Sequence, residues 1–336
     1  MSDPLVVVDA DVLGRRRTGD ETYVAQLLRA LPAAADGLRI AAITRRPDLV
    51  PAGVEAVELP ARIQELRMAV RVPLLLRKLR PAAAHFVHSF PVALPCPGVL
   101  TVQDLSFERD RTLMGYRETT MFRVVVPRSV HRAQRVIAIS QRTKDDLVEL
   151  YDTAPEKVVV TPLAPEPAFH PGGTRGDYLL LVGSVEERKN PLLAAAAAEA
   201  TGRPLVVVGP ERDADLAAAL RRRGVDVRGF VPTDELVRLV QEAAALLFPT
   251  RYEGFGLPVA EAMACGTPVV ATPDAAVREV GGDAVAYAHP EAFAETVGWV
   301  LADPEPWSRA ALKRAETFSW ERTAEATVSV YKAVLG

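Results

Sequence analysis

Short runs of β-branched and aliphatic residues recur along the chain, and amphipathic stretches with apolar positions at helical spacing lie between several of them. In the first half the runs lie at 5–9, 38–44, 54–59, 83–88, 98–102, 135–139 and 157–161. Near-continuous apolar strands of this kind belong to parallel sheets covered by helices on both faces. The intervening helices carry end signals: the stretch 20–31 opens on Asp20 and Glu21, and Ser140 stands where it caps 141–151. This alternation predicts a doubly wound α/β domain.

The pattern stops at 162–177, where four prolines and three glycines fall with little periodicity, as in a linker. A second series follows, with strands at 178–182, 205–208, 225–228, 245–248, 268–271 and 284–287 and helix starts at Asn190-Pro191 and Thr233-Asp234-Glu235. The expected organisation is two Rossmann-like domains, 1–167 and 168–318, with the active site in the cleft between them at the C-terminal ends of strands.

Composition narrows the class. Of 336 residues, 49% are hydrophobic and 25% charged, as in an ordinary globular protein. No apolar run approaches the roughly 18 residues of a membrane span, and the first residues lack the basic leader of a signal peptide. Two cysteines, Cys96 and Cys265, make neither a disulfide framework nor a zinc quartet and favour a reducing cytoplasm. The five histidines show no metal-ligand spacing, so no metal is expected.

The net charge of -3 conceals an asymmetry: residues 1–167 hold 23 basic and 20 acidic side chains, residues 168–336 hold 17 and 23. Within the first half, residues 61–135 carry 13 basic against 5 acidic groups, which suggests an anionic partner on that side. The segment 61–80 reads as a basic amphipathic helix, with Arg62, Arg67, Arg71, Arg77, Lys78 and Arg80 among aliphatic residues. Two roles stay open for it: lying on an anionic membrane, or packing on the core with a basic outer face.

The most informative stretch is 248–272. It reads as a buried strand, a loop Tyr252-Glu253-Gly254-Phe255-Gly256, a helix opening at Leu257-Pro258, and a stop at Gly266. Glycines let the backbone approach a ligand, and the helix start offers free N–H groups to an anion. Glu253 precedes that site and Glu261 lies within the helix, so the two carboxylates suit a hydroxyl-rich ligand.

The spacing of Glu253 and Glu261 within this stretch resembles the signature of the family-4 retaining glycosyltransferases of GT-B fold. Segments 99–105, 135–147, 178–190 and 318–323 agree in order, so the resemblance covers nearly the whole chain. It implies that Glu253 contacts the donor sugar, that the backbone of Gly254, Phe255, Gly256 and Leu257 meets sugar and diphosphate, and that Glu261 holds the ribose. Arg188 and Lys189, behind Gly183 and Ser184, would stabilise the leaving diphosphate; fixed cations at a strand end suit that charge on physical grounds as well. Ser184 is a departure, since some relatives have Arg there. Gly229, Phe230 and Val231 resemble the loop beside the nucleotide base.

In the first domain Gln103 stands where relatives usually have His; it can hydrogen-bond but cannot carry a proton at neutral pH. The turn Gly14 to Gly19 is not Gly-x-Gly-x-x-Gly, which removes a dinucleotide reading. Relatives use this turn near donor phosphate and acceptor, so Gly14, Arg17, Gly19 and, at the end of its strand, His88 are acceptor-side candidates. The resemblance further implies that 319–336 packs back on the first domain.

The implied activity is transfer of a hexose from a UDP- or GDP-linked donor to an acceptor hydroxyl, without cofactor or metal. The protein would be cytoplasmic or at the inner face of the membrane, with no nucleic-acid partner. A nucleotide-sugar epimerase, a phosphorylase and a non-catalytic sugar-nucleotide binder are the alternatives. Oligomeric state and acceptor are not legible.

Overall fold

The computed structural model describes residues 3–15, 18–60, 63–109 and 116–336, and their strands form two sheets in which every pairing is parallel. The first contains β1 (Leu5–Asp9), β2 (Arg39–Thr44), β3 (Glu55–Glu58), β4 (Ala83–Val87), β5 (Gly98–Val102), β6 (Arg135–Ala138) and β7 (Val158–Val160), in the order β3-β2-β1-β4-β5-β6-β7. The second contains β8 (Leu179–Val182), β9 (Leu205–Val208), β10 (Asp226–Gly229), β11 (Ala245–Phe248), β12 (Val269–Ala271) and β13 (Ala286–Tyr287), in the order β10-β9-β8-β11-β12-β13. Strand order reverses beside β1 and β8, and loops at such switch points are where open α/β sheets place ligands.

The contacts divide the chain into two units, one of 1–163 with 319–336 and one of 164–318. The sequence reading put the first boundary after residue 167; the division falls after Leu163.

The central strands form because they are aliphatic on both faces, whereas the edge strands β3 and β10 carry exposed charged residues. Val6, Val7, Leu100 and Val136 are fully buried in the first unit, and Leu179, Val207, Leu246 and Val270 in the second. Each such side chain contributes about 1.5–3 kcal/mol on burial. Ser140 caps helix Gln141–Tyr151 by accepting from the Thr143 N–H, and Ser319 caps Trp320–Leu335 by accepting from Arg322.

That last helix belongs to the first unit, where it packs on helix Thr18–Ala34 and against β4, β5 and β6. Its Tyr331 hydroxyl lies 2.7 Å from His85 Nδ1, and His85 Nε2 lies 2.7 Å from Thr101 Oγ1. Thr101 Oγ1 is in turn 2.9 Å from the Tyr23 hydroxyl. Burial pushes the His85 imidazole down to about 3, so it is neutral and structural.

The segment 61–80 is not one amphipathic helix. A turn at Gln64–Leu66 runs into a π-helical stretch, Arg67–Arg71, and then into helix Val72–Leu79. The wider π turn changes the angular register of the residues, and Arg67, expected on a basic outer face, is fully buried. Its guanidinium pairs with Asp9 at the end of β1 and lies 3.5 Å from Asp11, which also holds Arg45 at 2.7 Å. Burial of a cation against two carboxylates docks this segment onto the sheet. Arg62 lies outside the described residues.

Candidate functional site

The turn after β8 carries Gly183, Ser184 and the one-turn segment Glu187–Lys189; Asn190 (φ 49) then opens helix Pro191–Thr201, with Pro191 at its first position. β11 lies beside β8, so the loop 249–256 leaves the sheet next to that turn. Two hydrogen bonds join them: the Arg251 N–H donates to the Arg188 carbonyl at 2.9 Å, and the side-chain Arg188 Nη1 donates to the Tyr252 carbonyl at 2.8 Å.

These links bring Glu253 against Lys189. The Lys189 ammonium donates to Glu253 Oε1, the Thr250 hydroxyl donates to the same oxygen at 2.8 Å, and Arg188 Nη1 lies 3.5 Å away. Burial alone would raise the Glu253 carboxyl, but Lys189 and Arg188 outweigh it and hold it below the usual carboxylate range. Burial draws the Lys189 ammonium down, with Glu253 opposing it. Glu253 is therefore an ionised carboxylate inside the protein, and no helix cap: Gly256 (φ 98) opens Leu257–Ala264.

Glycines end three neighbouring strands here. The Gly183 N–H donates to the Val208 carbonyl and the Gly209 N–H to that of Gly229. A side chain at Gly209 would stand far inside contact with the Gly183 carbonyl oxygen, and φ there is 145°. Only glycine allows this bare backbone shelf. Phe230 beside it is half exposed and Val231 buried.

Phe255 points inward, packing edge-on against Phe318 with ring centres 5.9 Å apart. Glu261 is buried in helix Leu257–Ala264, away from the Lys189–Glu253 pair in sequence. Burial, and then the charge of Glu166, raises its carboxyl well above the ordinary range.

The remaining candidates belong to the first unit. Gln103, just past β5, is 8% exposed, and its Nε2 has no hydrogen-bond partner among the described residues. A Cβ on Gly19, in the first turn of Thr18–Ala34, would lie 3.7 Å from Gln103 Oε1. His88 follows β4 in a left-handed conformation (φ 62) with Nε2 3.0 Å from Asp20 Oδ1. Gly14 (φ 77) donates its N–H to Glu21 Oε1 at 2.7 Å. Asp104 accepts from Ser106 N–H and hydroxyl, holding the turn into helix Ser106–Arg109. Arg17 lies outside the described residues.

Sequence reasoning did not single out Glu186, which pairs with Arg188 at 2.9 Å, nor Thr250, Gly209 or Glu166. Gly209 carried a signal, since Val208-Gly209-Pro210 ends a strand as Val182-Gly183 does.

Two family models together match most of the chain. The model described as Glycosyltransferase Family 4 matches residues 17–164, and that described as Glycosyl transferases group 1 matches residues 176–303. The chain belongs to the family-4 (group 1) glycosyltransferases.

Among curated members of this family, the O-antigen chain mannosyltransferase B of Escherichia coli is 30% identical over 236 residues, 61% of this chain and 62% of the relative. A D-inositol 3-phosphate glycosyltransferase of Mycolicibacterium gilvum (strain PYR-GCK) is 33% identical over 231 residues, 60% of this chain and 52% of the relative. The matched part thus spans about half to two thirds of these relatives' length. A sucrose-phosphate synthase from Thermosynechococcus elongatus superposes with a TM-score of 0.78 at 17% identity, covering 98% of both chains. The chain has the GT-B fold, two Rossmann-like parallel-sheet domains.

Proposed function

We propose that the chain is a retaining hexosyltransferase that moves a sugar from a UDP- or GDP-hexose to an acceptor hydroxyl on a glycan, glycolipid or small metabolite. The observation that carries this reading is the ionised Glu253 buried against Lys189 and Arg188 where β8 and β11 end. Two cations and a nearby helix start suit a diphosphate, and a carboxylate suits sugar hydroxyls. In this reading the diphosphate takes Lys189 and Arg188, which frees Glu253 to accept hydrogen bonds from the sugar. The acceptor oxygen bonds to the anomeric carbon as the bond from that carbon to the phosphate oxygen breaks on the same face. The acceptor proton passes to the leaving phosphate, whose growing charge the two cations stabilise.

No metal or cofactor is assigned a step. Glu261 takes the ribose, and Gly183, Ser184, Gly229, Phe230, Val231 and Gly254 to Leu257 take the rest of the donor. Gly14, Arg17, Gly19 and His88 are assigned to the acceptor, with Gln103 offering its amide N–H to a sugar or acceptor oxygen. The printed names of the relatives, an O-antigen chain mannosyltransferase and a D-inositol 3-phosphate glycosyltransferase, supply two acceptor classes to try.

The test is release of UDP or GDP from a panel of nucleotide-hexoses, with chelator present and with these acceptors. Wild type is expected to turn over one donor and Glu253→Ala to lose transfer; unchanged transfer by that variant sinks the assignment. An altered donor sugar with no acceptor consumed would favour an epimerase. Donor binding without turnover would favour a sugar-nucleotide binding protein.

A second proposal concerns the basic segment. Ile63, Leu66, Val70 and Leu74 are 58%, 47%, 44% and 57% exposed, which places an apolar stripe on the surface. Arg71, Arg77, Lys78 and Arg80 are exposed on the same segment, against one acid, Glu65. Apolar side chains with flanking cations fit the headgroup region of an anionic bilayer, which supports a peripheral place at the inner face of the membrane. Arg67 takes no part, being buried on Asp9. Leu66→Asp with Leu74→Asp is expected to abolish sedimentation with phosphatidylglycerol vesicles. Wild type that ignores such vesicles would end this proposal. Among the described residues no helix is long and apolar enough to cross a membrane.

A further inference from the structure

Resting on the donor reading above, we infer that Glu186 is a positioning residue that holds Arg188 ready for the diphosphate and keeps it from closing fully on Glu253. Glu186 precedes the one-turn segment Glu187–Lys189 in extended conformation, and its side chain caps nothing there. It is 9% exposed, and its Oε1 accepts from Arg188 Nη2 at 2.9 Å. The other carboxylate oxygen lies 3.7 Å from Arg212 Nη1, on the turn after β9. Backbone hydrogen bonds join the two turns: the Val185 N–H donates to the Pro210 carbonyl and the Asp213 N–H to that of Val185. Glu186 therefore stands on a fixed base.

Two carboxylates compete for Arg188. Glu186 holds Nη2, while Glu253 lies 3.5 Å from Nη1 and is already paired with Lys189. If Glu186 is removed, Glu253 remains beside Arg188 at 3.5 Å. Both cations of the turn would then close on one carboxylate, and an incoming diphosphate would have to draw Arg188 from a full hydrogen-bonded pair with Glu253 instead of from the present 3.5 Å contact.

The opposite outcome has its own physical basis, which makes the test sharp. Glu186 carries a negative charge close to where two phosphates are assigned, so neutralising it should by Coulomb's law strengthen anion binding. Positioning and charge thus predict different orders for two variants. Glu186→Gln keeps an acceptor oxygen for Arg188 without the charge, and Glu186→Ala keeps neither.

Calorimetric titration of UDP and of GDP into wild type and both variants reads the difference. We expect whichever nucleotide binds wild type to bind Glu186→Gln at least as tightly. Glu186→Ala is expected to bind it about tenfold more weakly, the effect of losing one charge-assisted hydrogen bond. Uridine and guanosine, which lack phosphate, separate positioning from general loosening of the domain: the affinity of the matching nucleoside should be unchanged in Glu186→Ala. If Glu186→Ala binds the diphosphate as tightly as wild type or more tightly, or loses the nucleoside to the same degree, the positioning role is overturned. If wild type binds neither UDP nor GDP, the donor reading itself fails and the inference falls with it.

Discussion

Replacing Lys189 by Met tests the central pair most directly. The substitution preserves length and apolar stem but leaves Glu253, 7% exposed, without its ammonium partner. Removing one member of a buried ion pair costs about 3–5 kcal/mol. The Thr250 hydroxyl at 2.8 Å and Arg188 at 3.5 Å remain on Glu253 Oε1, which argues for the low end, about 3 kcal/mol. In a domain of this size 1 kcal/mol moves the melting midpoint by about 2–4 °C, so Lys189→Met is expected to melt roughly 6–12 °C lower. Adding Glu253→Gln removes the stranded charge and should restore most of that loss. Thermal melts of wild type, both single variants and the double, followed by circular dichroism, give the coupling; Trp299 and Trp307 lie in the same unit and provide a fluorescence signal from it. Transfer should stay absent in the double variant, which separates stability from activity. A Lys189→Met midpoint within a degree of wild type, or a double variant no more stable than the single, would refute the reasoning.

Three further outcomes are expected. Gln103→Met removes a buried amide whose Nε2 lacks a partner among the described residues, so stability should hold or rise while kcat/KM falls about tenfold; unchanged turnover would remove Gln103 from the site. His85 is neutral when folded, with its pKa pushed down to about 3, against 6.5 ordinarily. The unfolded chain therefore binds the extra proton between these values, and the His85 contribution to stability, level above pH 6.5, should fall by up to about 1.4 kcal/mol per pH unit below it; the change in urea midpoint attributable to His85 should be absent in His85→Gln. Glu261 has the reverse sign: its raised carboxyl makes the folded state bind the extra proton, so stability declines as pH rises above the ordinary value of 4.5. Glu261→Gln should melt higher at pH 8 than wild type yet bind UDP or GDP more weakly, and equal midpoints at pH 8 would contradict its burial as a carboxyl.

The strands were legible because each is an aliphatic run with turn residues at its ends, and all thirteen runs became strands within two residues of their expected bounds. The Lys189–Glu253 pair was legible as two separate motifs, though its direct contact was not, since 64 positions separate the residues. Arg67 was misplaced because helical spacing assumes 3.6 residues per turn, and the π-helical stretch turned it inward. Asp9 and Asp11 at the end of a buried strand were an available signal, because two such acids call for a cationic partner. Glu186 escaped notice because its contact with Arg188 spans two positions within a tight turn, a spacing that neither helical nor strand periodicity registers. Glu166 lies in the proline-rich linker, and nothing in its neighbours points to Glu261.

The helix Trp320–Leu335 also sets an order of events in the cell. It is made after the whole of 164–318, yet Tyr331, Trp320 and Thr323 complete the first unit against His85, Tyr23 and the Pro162 carbonyl. At roughly 5–20 residues per second, the ribosome leaves that face uncovered for roughly 10–30 s. The first unit is thus completed only after the second has been made, and during that interval an apolar surface around β4 and β5 is open to chaperones and to other nascent chains.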